Sequence, residues 1–99
     1  MKALSIVSPS GSKIASGFKT LEIRRWIPNL SPHEDLLIVE NNVFLNKAGD
    51  VDLEGRAVVI VQISSVRPFV EADVNAACAN YYEAGWWAWE LTNIRPIPS

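Results

Sequence analysis

The segment Ala57-Val58-Val59-Ile60-Val61-Gln62-Ile63, ended by Pro68, limits the fold more than any other. β-Branched side chains dominate it, and these favour extended backbone over helix. It therefore predicts the longest strand of the chain, from Arg56 to Val66. A strand so apolar needs neighbours on its faces, and only 99 residues are there to provide them. That length fits one domain spanning residues 1–99. A domain of this size buries roughly 60 to 65% of the surface its unfolded chain exposes, a thin margin.

Composition removes several classes of function. Hydrophobic residues make up 48% and charged residues 20%, too apolar for a disordered chain. No apolar run nears the roughly 18 residues that span a bilayer, and Met1-Lys2-Ala3-Leu4-Ser5 lacks the apolar core of a signal peptide, so no membrane partner is expected. One cysteine, Cys78, makes no internal disulfide, and with the single His33 it gives no metal framework. The expectation is a cytoplasmic protein with no metal and no cofactor. A net charge of −2 opposes a broad grip on duplex DNA, which needs a basic face. It leaves room for a small polar pocket holding a few placed cations.

Along the chain, Lys2 to Val7 reads as a short strand. Ser8-Pro9 is a helix start, with Ser8 as cap and Pro9 in the first turn; the helix buries Ile14 and stops at Gly17. Lys19 to Trp26 alternates Leu21 and Ile23 with Thr20, Glu22 and Arg24, a strand with one apolar and one polar face. Residues 27–35 hold two prolines and read as a loop. Leu36 to Val39 is a strand covered on both sides, and Asn41 to Gly55 is a loop or weak hairpin. Val70, Val74, Ala77, Cys78 and Tyr81 recur at helical spacing and predict an amphipathic helix ended by Gly85. Trp86 to Leu91 returns to strand, and Ile94 to Pro98, with two prolines, reads as an extended edge. The expected class is α+β: a strongly bent mixed sheet of about five to six strands, closed or nearly closed into a barrel, with two flanking helices.

The chemistry concentrates in Gly17-Phe18-Lys19-Thr20-Leu21-Glu22-Ile23-Arg24. Burying Leu21 and Ile23 turns Thr20, Glu22 and Arg24 to the other face, about 7 Å apart. Lys19 at the strand entrance swings toward the same side. Two cations, a carboxylate and a hydroxyl suit a planar hydrogen-bonding ligand. The same alternation also describes a solvated sheet face with a screened surface pair; spacing alone leaves both readings open. Trp26, at the parity of Arg24, is the best stacking platform for a ring. Trp87 and Trp89 share one face with Trp86 opposite, as core or as ligand wall. Ser8, Ser10 and Ser12 line a cleft at the helix start or cap it, and Asn41 donates to a base edge or forms a turn. His33 reads as a solvated loop residue, Cys78 as a small buried hydrophobe, and Glu83 and Glu90 as solvated.

The opening Leu4-Ser5-Ile6, then Pro9, then Gly17 to Arg24 as G-x-K-T-x-E-x-R, resembles the signature of ASCH domains. Gly55 to Ile63 with Val66-Arg67-Pro68-Phe69, and Trp89 to Ile97, are similar to later segments of that family. The resemblance implies a PUA-like β-barrel whose cleft, beside the first helix, takes RNA or a modified nucleoside. It is also similar to a bacterial amidohydrolase of N4-acetylcytidine that carries K-T-x-T-x-R. On that likeness Lys19 and Arg24 match its lysine and arginine, and Glu22 stands where its second threonine, the proposed nucleophile, would be. Glu22 then activates water, Lys19 donates a proton, and Arg24 steadies the oxyanion. Glu71 is the candidate for an assisting carboxylate. A binding module without catalysis and a ribonuclease are the alternatives.

Overall fold

The β-branched run lies at the centre of the sheet. In the computed structural model, which describes residues 1–31, 33–42 and 55–98, the elements are β1 (Lys2–Val7), α1 (Ser10–Ala15), β2 (Leu21–Arg24), β3 (Leu36–Asn41), β4 (Arg56–Pro68), a 3-10 turn at Glu71–Asp73 and β5 (Trp87–Pro96). The expected hairpin or loop between Asn41 and Gly55 falls mostly outside the described residues. Among those residues, no helix is long and apolar enough to cross a membrane.

The five strands order as β1-β3-β4-β5-β2, with β1 parallel to β3 and every other pair antiparallel. Val59 and Val61 of β4 are fully buried while Val58 and Ile60 are half-buried, the period of two a strand imposes. Around them Leu4 and Ile6 of β1, Ile14 of α1, Leu36 and Ile38 of β3, and Trp89 and Leu91 of β5 form one core. Each such side chain contributes about 1.5–3 kcal/mol by leaving water. The helix lies close against β3 and β4 because Gly11 has no side chain. A Cβ there would meet Val58 Cγ2 at 3.0 Å and Glu40 Cβ at 3.2 Å.

The sheet bends into a half-barrel and does not close. Among the described residues β1 and β2 are its two edges, each paired on one side only. What spans the gap is a side chain: Arg24 Nη2 donates to the Ser5 carbonyl at 3.2 Å. This open seam corrects the expectation of a closed or nearly closed barrel, and it is what makes a site.

Further expectations are corrected. The second helix is absent. Residues 71–78 form the 3-10 turn and successive turns, and Cys78 has φ +53°, a left-handed conformation that ends any helix. The competitor comes from the end of β4: Asp73 accepts from Arg67 at 2.7 and 3.0 Å and from the Val70 N–H at 3.0 Å, which fixes the chain in a tight turn. With no helix there is no buried helical face, so Cys78 is exposed and Tyr81 is 61% exposed. Glu90, expected in solvent, is half-buried and accepts from Arg67 Nε at 3.0 Å. At the first helix, Ser8 does not cap. Its N–H bonds the Asn41 carbonyl at 2.6 Å, Pro9 takes the cap position, and Glu40 accepts from the Ser12 N–H at 2.7 Å instead. Residues 94–96 are the end of β5 and not a segment apart: Pro96 pairs with Val59, beyond the reach of β2, which covers only Trp87 to Glu90, and Pro98 lies past the strand.

The Arg67 cluster gives a pH signature. The guanidinium holds the Asp73 and Glu90 carboxyls below their ordinary range, chiefly by side-chain hydrogen bonds. Groups depressed on folding contribute stability above their unfolded pKa values of about 4 and lose it as pH falls below them. Wild type therefore loses stability as pH drops below about 4, and Arg67→Leu shows a shallower loss over that window. Urea midpoints measured at intervals from pH 5 to pH 2 check this.

Candidate functional site

The register of β2 on β5 decides which way its polar residues turn. Glu22 stands opposite Trp89 and Arg24 opposite Trp87, and residues directly opposite in an antiparallel pair share a face. Trp89 is only 1% exposed and belongs to the core, so Glu22 faces the concave side with it. Leu21 takes the opposite face and lies outside that core cluster. There the turn segment crosses, and the Thr20 and Leu21 N–H groups both bond the Ala76 carbonyl, at 2.9 and 3.3 Å. The polar face of the strand is thus the inner one.

Glu22 is 5% exposed and Lys19 6%. Lys19 Nζ lies 3.2 Å from Glu22 Oε1 and donates to the Ala77 carbonyl at 2.5 Å. On the other side, Arg24 donates to Glu22 Oε2 through Nε at 2.9 Å and Nη2 at 2.8 Å. Removing such charges from water costs several kcal/mol per ion, and only close pairing with saturated hydrogen bonding offsets it. Two cations on one carboxylate meet that requirement. Among the described residues Arg24 Nη1 has no protein partner.

Above this triad the seam opens into a hollow of about 610 Å³. β1 contributes Ser5, Ile6 and Val7; β2 contributes Glu22, Ile23 and Arg24. Ser8, Ser10, Arg25, Trp26, Asn41 and Trp86 complete the wall. Trp26 is 49% exposed, its ring edge-on to Trp89 with centroids 4.8 Å apart, while Trp89 Nε1 donates to the Trp26 carbonyl at 3.2 Å. A buried tryptophan thus props a half-exposed one at the hollow.

Of the expected site residues, Glu22, Arg24, Ser10, Trp26 and Asn41 come together here. Lys19 does not line the hollow; it lies buried behind Glu22 and reaches the site through it. Thr20 is exposed just before β2 and outside the wall, and Glu71 is exposed in the 3-10 turn, also outside it. Ser12 is drawn away to Glu40. Among the described residues no cluster of three His, Cys, Asp or Glu is placed to hold a metal ion.

A family model described as the ASCH domain matches residues 4–99. The chain belongs to the ASCH domain family. That family is generally associated with RNA binding. The fold agrees: the crystal structure of ASCH from Zymomonas mobilis superposes with a TM-score of 0.67 at 18% identity, covering 96% of this chain and 68% of that one. Crystal structures of a tyrosine-to-phenylalanine and a serine-to-alanine variant of that protein both give a TM-score of 0.62. The first, at 17% identity, covers 97% of this chain and 71% of its own; the second, at 18%, covers 96% and 69%. No curated protein matches the sequence.

Arg25 is a wall residue of this ASCH domain that the sequence did not single out, and Trp86, left open between core and ligand wall, is placed on the wall. Strand alternation assigns Arg25 to the face opposite Arg24, but β2 ends at Arg24 and the alternation ends with it. The adjacent Arg24-Arg25-Trp26 was the available signal. Trp86 likewise precedes β5, so the face that strand parity gave it does not apply.

Removing one member of the buried triad leaves the others uncompensated. Glu22→Ala costs about 3–5 kcal/mol of folding stability. The double variant Lys19→Met/Glu22→Leu, which removes the buried pair together, costs less than half as much. Chemical denaturation of the three proteins tests the difference.

Proposed function

We propose that this ASCH domain binds RNA, or a modified nucleoside, by seating one base in the open seam between β1 and β2. A single observation carries the reading: Trp26 and the Arg24 guanidinium, whose Nη1 has no partner among the described residues, line one hollow of nucleotide size. A volume near 610 Å³ lies within the usual range for small-ligand sites and is too small for a duplex. Stacking on Trp26 is worth about 1–3 kcal/mol for a base. Arg24 is already fixed by Glu22 and the Ser5 carbonyl, so little side-chain freedom is lost when Nη1 donates to a base carbonyl. Glu22 accepts from an exocyclic amine, and Asn41 and Ser10 supply further polar contacts.

A second reading, hydrolysis of an acylated cytidine, rests on the Glu22 carboxylate on the wall of that hollow. In this reaction Glu22 takes a proton from water as the oxygen adds to the acetyl carbonyl, and Arg24 stabilises the oxyanion. The proton then passes to N4 as the C–N bond breaks, giving cytidine and acetate. Lys19 acts from behind, positioning Glu22. Both Glu22 oxygens are already engaged by cations, which favours recognition over proton abstraction. A ribonuclease reading has less support, since His33 lies outside the hollow.

Titration of tryptophan fluorescence with cytidine and with a short single-stranded RNA tests the binding reading. Saturable quenching is expected, and Trp26→Ala weakens it about tenfold or more. Titrations that leave the fluorescence unchanged, or are indifferent to Trp26, overturn it. Incubation with N4-acetylcytidine separates the second reading: cytidine and acetate released by wild type and not by Glu22→Gln establish it, and binding without turnover removes it.

A further inference from the structure

The seam has a neighbour that the base-binding reading does not use. Of the five arginines, Arg24, Arg56, Arg67 and Arg95 each lie within 4 Å of a carboxylate. Arg25 alone among them has no carboxylate partner among the described residues. Its guanidinium carbon lies instead 5.2 Å from the centre of the Trp86 ring. A cation over an indole face is held in place while its N–H edges stay free. Tyr81 continues the surface, its ring centroid 6.0 Å from that of Trp86 in an edge-to-face arrangement, and it is largely exposed.

Charge favours an anion here. Lys19, Arg24 and Arg25 set three cations against the single carboxylate of Glu22, in a chain whose net charge is −2. Arg24 is committed to Glu22. Arg25, its next neighbour in the chain and on the same hollow, keeps the bidentate donor fork that matches a phosphate.

We propose that Arg25, Trp86 and Tyr81 form a subsite for the nucleotide adjoining the one in the hollow, Arg25 taking the connecting phosphate and the aromatic pair the neighbouring base. The ligand is then a single-stranded RNA segment rather than a free nucleoside. This inference rests on the reading that the hollow seats a base.

The test compares cytidine with the trinucleotide rCpCpC by tryptophan fluorescence at two salt concentrations, on wild type, Arg25→Gln and Tyr81→Ala. Wild type binds the trinucleotide at least about tenfold more tightly than cytidine, and only the trinucleotide weakens markedly with salt. In Arg25→Gln the affinity ratio falls towards one and the salt dependence flattens; in Tyr81→Ala the ratio falls in part. Both side chains are exposed, and thermal melting confirms that the variants fold. Equal affinity for the two ligands, or a ratio indifferent to Arg25→Gln, overturns the subsite while leaving the seated base intact. Failure of both ligands to bind overturns the base reading and the subsite with it.

Discussion

A carboxylate as deeply buried as Glu22 is tolerated only because Lys19 and Arg24 reach it from opposite sides. The rest of the site follows from that arrangement. Lys19 Nζ is anchored by the Ala77 carbonyl, which ties the turn segment to β2, while Arg24 Nη2 reaches the Ser5 carbonyl, which ties β2 to β1. One carboxylate therefore organises both the covering of one face of β2 and the width of the seam on the other. Replacing the set with apolar residues would cost a protein of this size little in stability, since buried ion pairs often only break even. What such residues could not do is hold a guanidinium rigidly at the edge of an open sheet.

The seam is a consequence of strand count. Among the described residues, five strands bend round the core without meeting, so β1 and β2 keep unpaired edges. Exposed edges are ordinarily a hazard, open to pairing with other chains. Here α1, the Arg24 side chain and the tryptophans occupy the region, turning it into a walled hollow. The short helix can sit there because Gly11 allows close approach and Glu40 satisfies the Ser12 N–H that no side-chain cap serves. Fold and proposed function share one cause, an unclosed half-barrel with its polar strand turned inward.

How much was legible differs from residue to residue. The first strand and the long fourth strand could be read from side-chain type, because β-branched runs act locally. Glu22 and Arg24, which line the hollow, could be singled out from alternation and from resemblance to ASCH domains. Their depth could not: alternation says two residues share a face but not which face looks inward. The helix expected around Val74 and Tyr81 failed for a related reason. Helical periodicity is a weak local preference, and the bidentate Arg67–Asp73 contact, made with a residue on another element, outweighs it. Arg25 was missed, and Trp86 left undecided between core and wall, because strand parity was carried past the last paired residue.

The sequence by itself determined most of the extended segments, that its one cysteine makes no internal disulfide, and which short polar stretch brings Glu22 and Arg24 to the hollow. These depend on covalent geometry and on neighbours one or two positions away. Only the tertiary structure decided that the sheet stays open, that Glu22 points with Trp89 into its concavity, and that Lys19 stands behind the wall rather than in it. Those outcomes depend on register between strands more than sixty residues apart, where slipping by one residue exchanges the two faces.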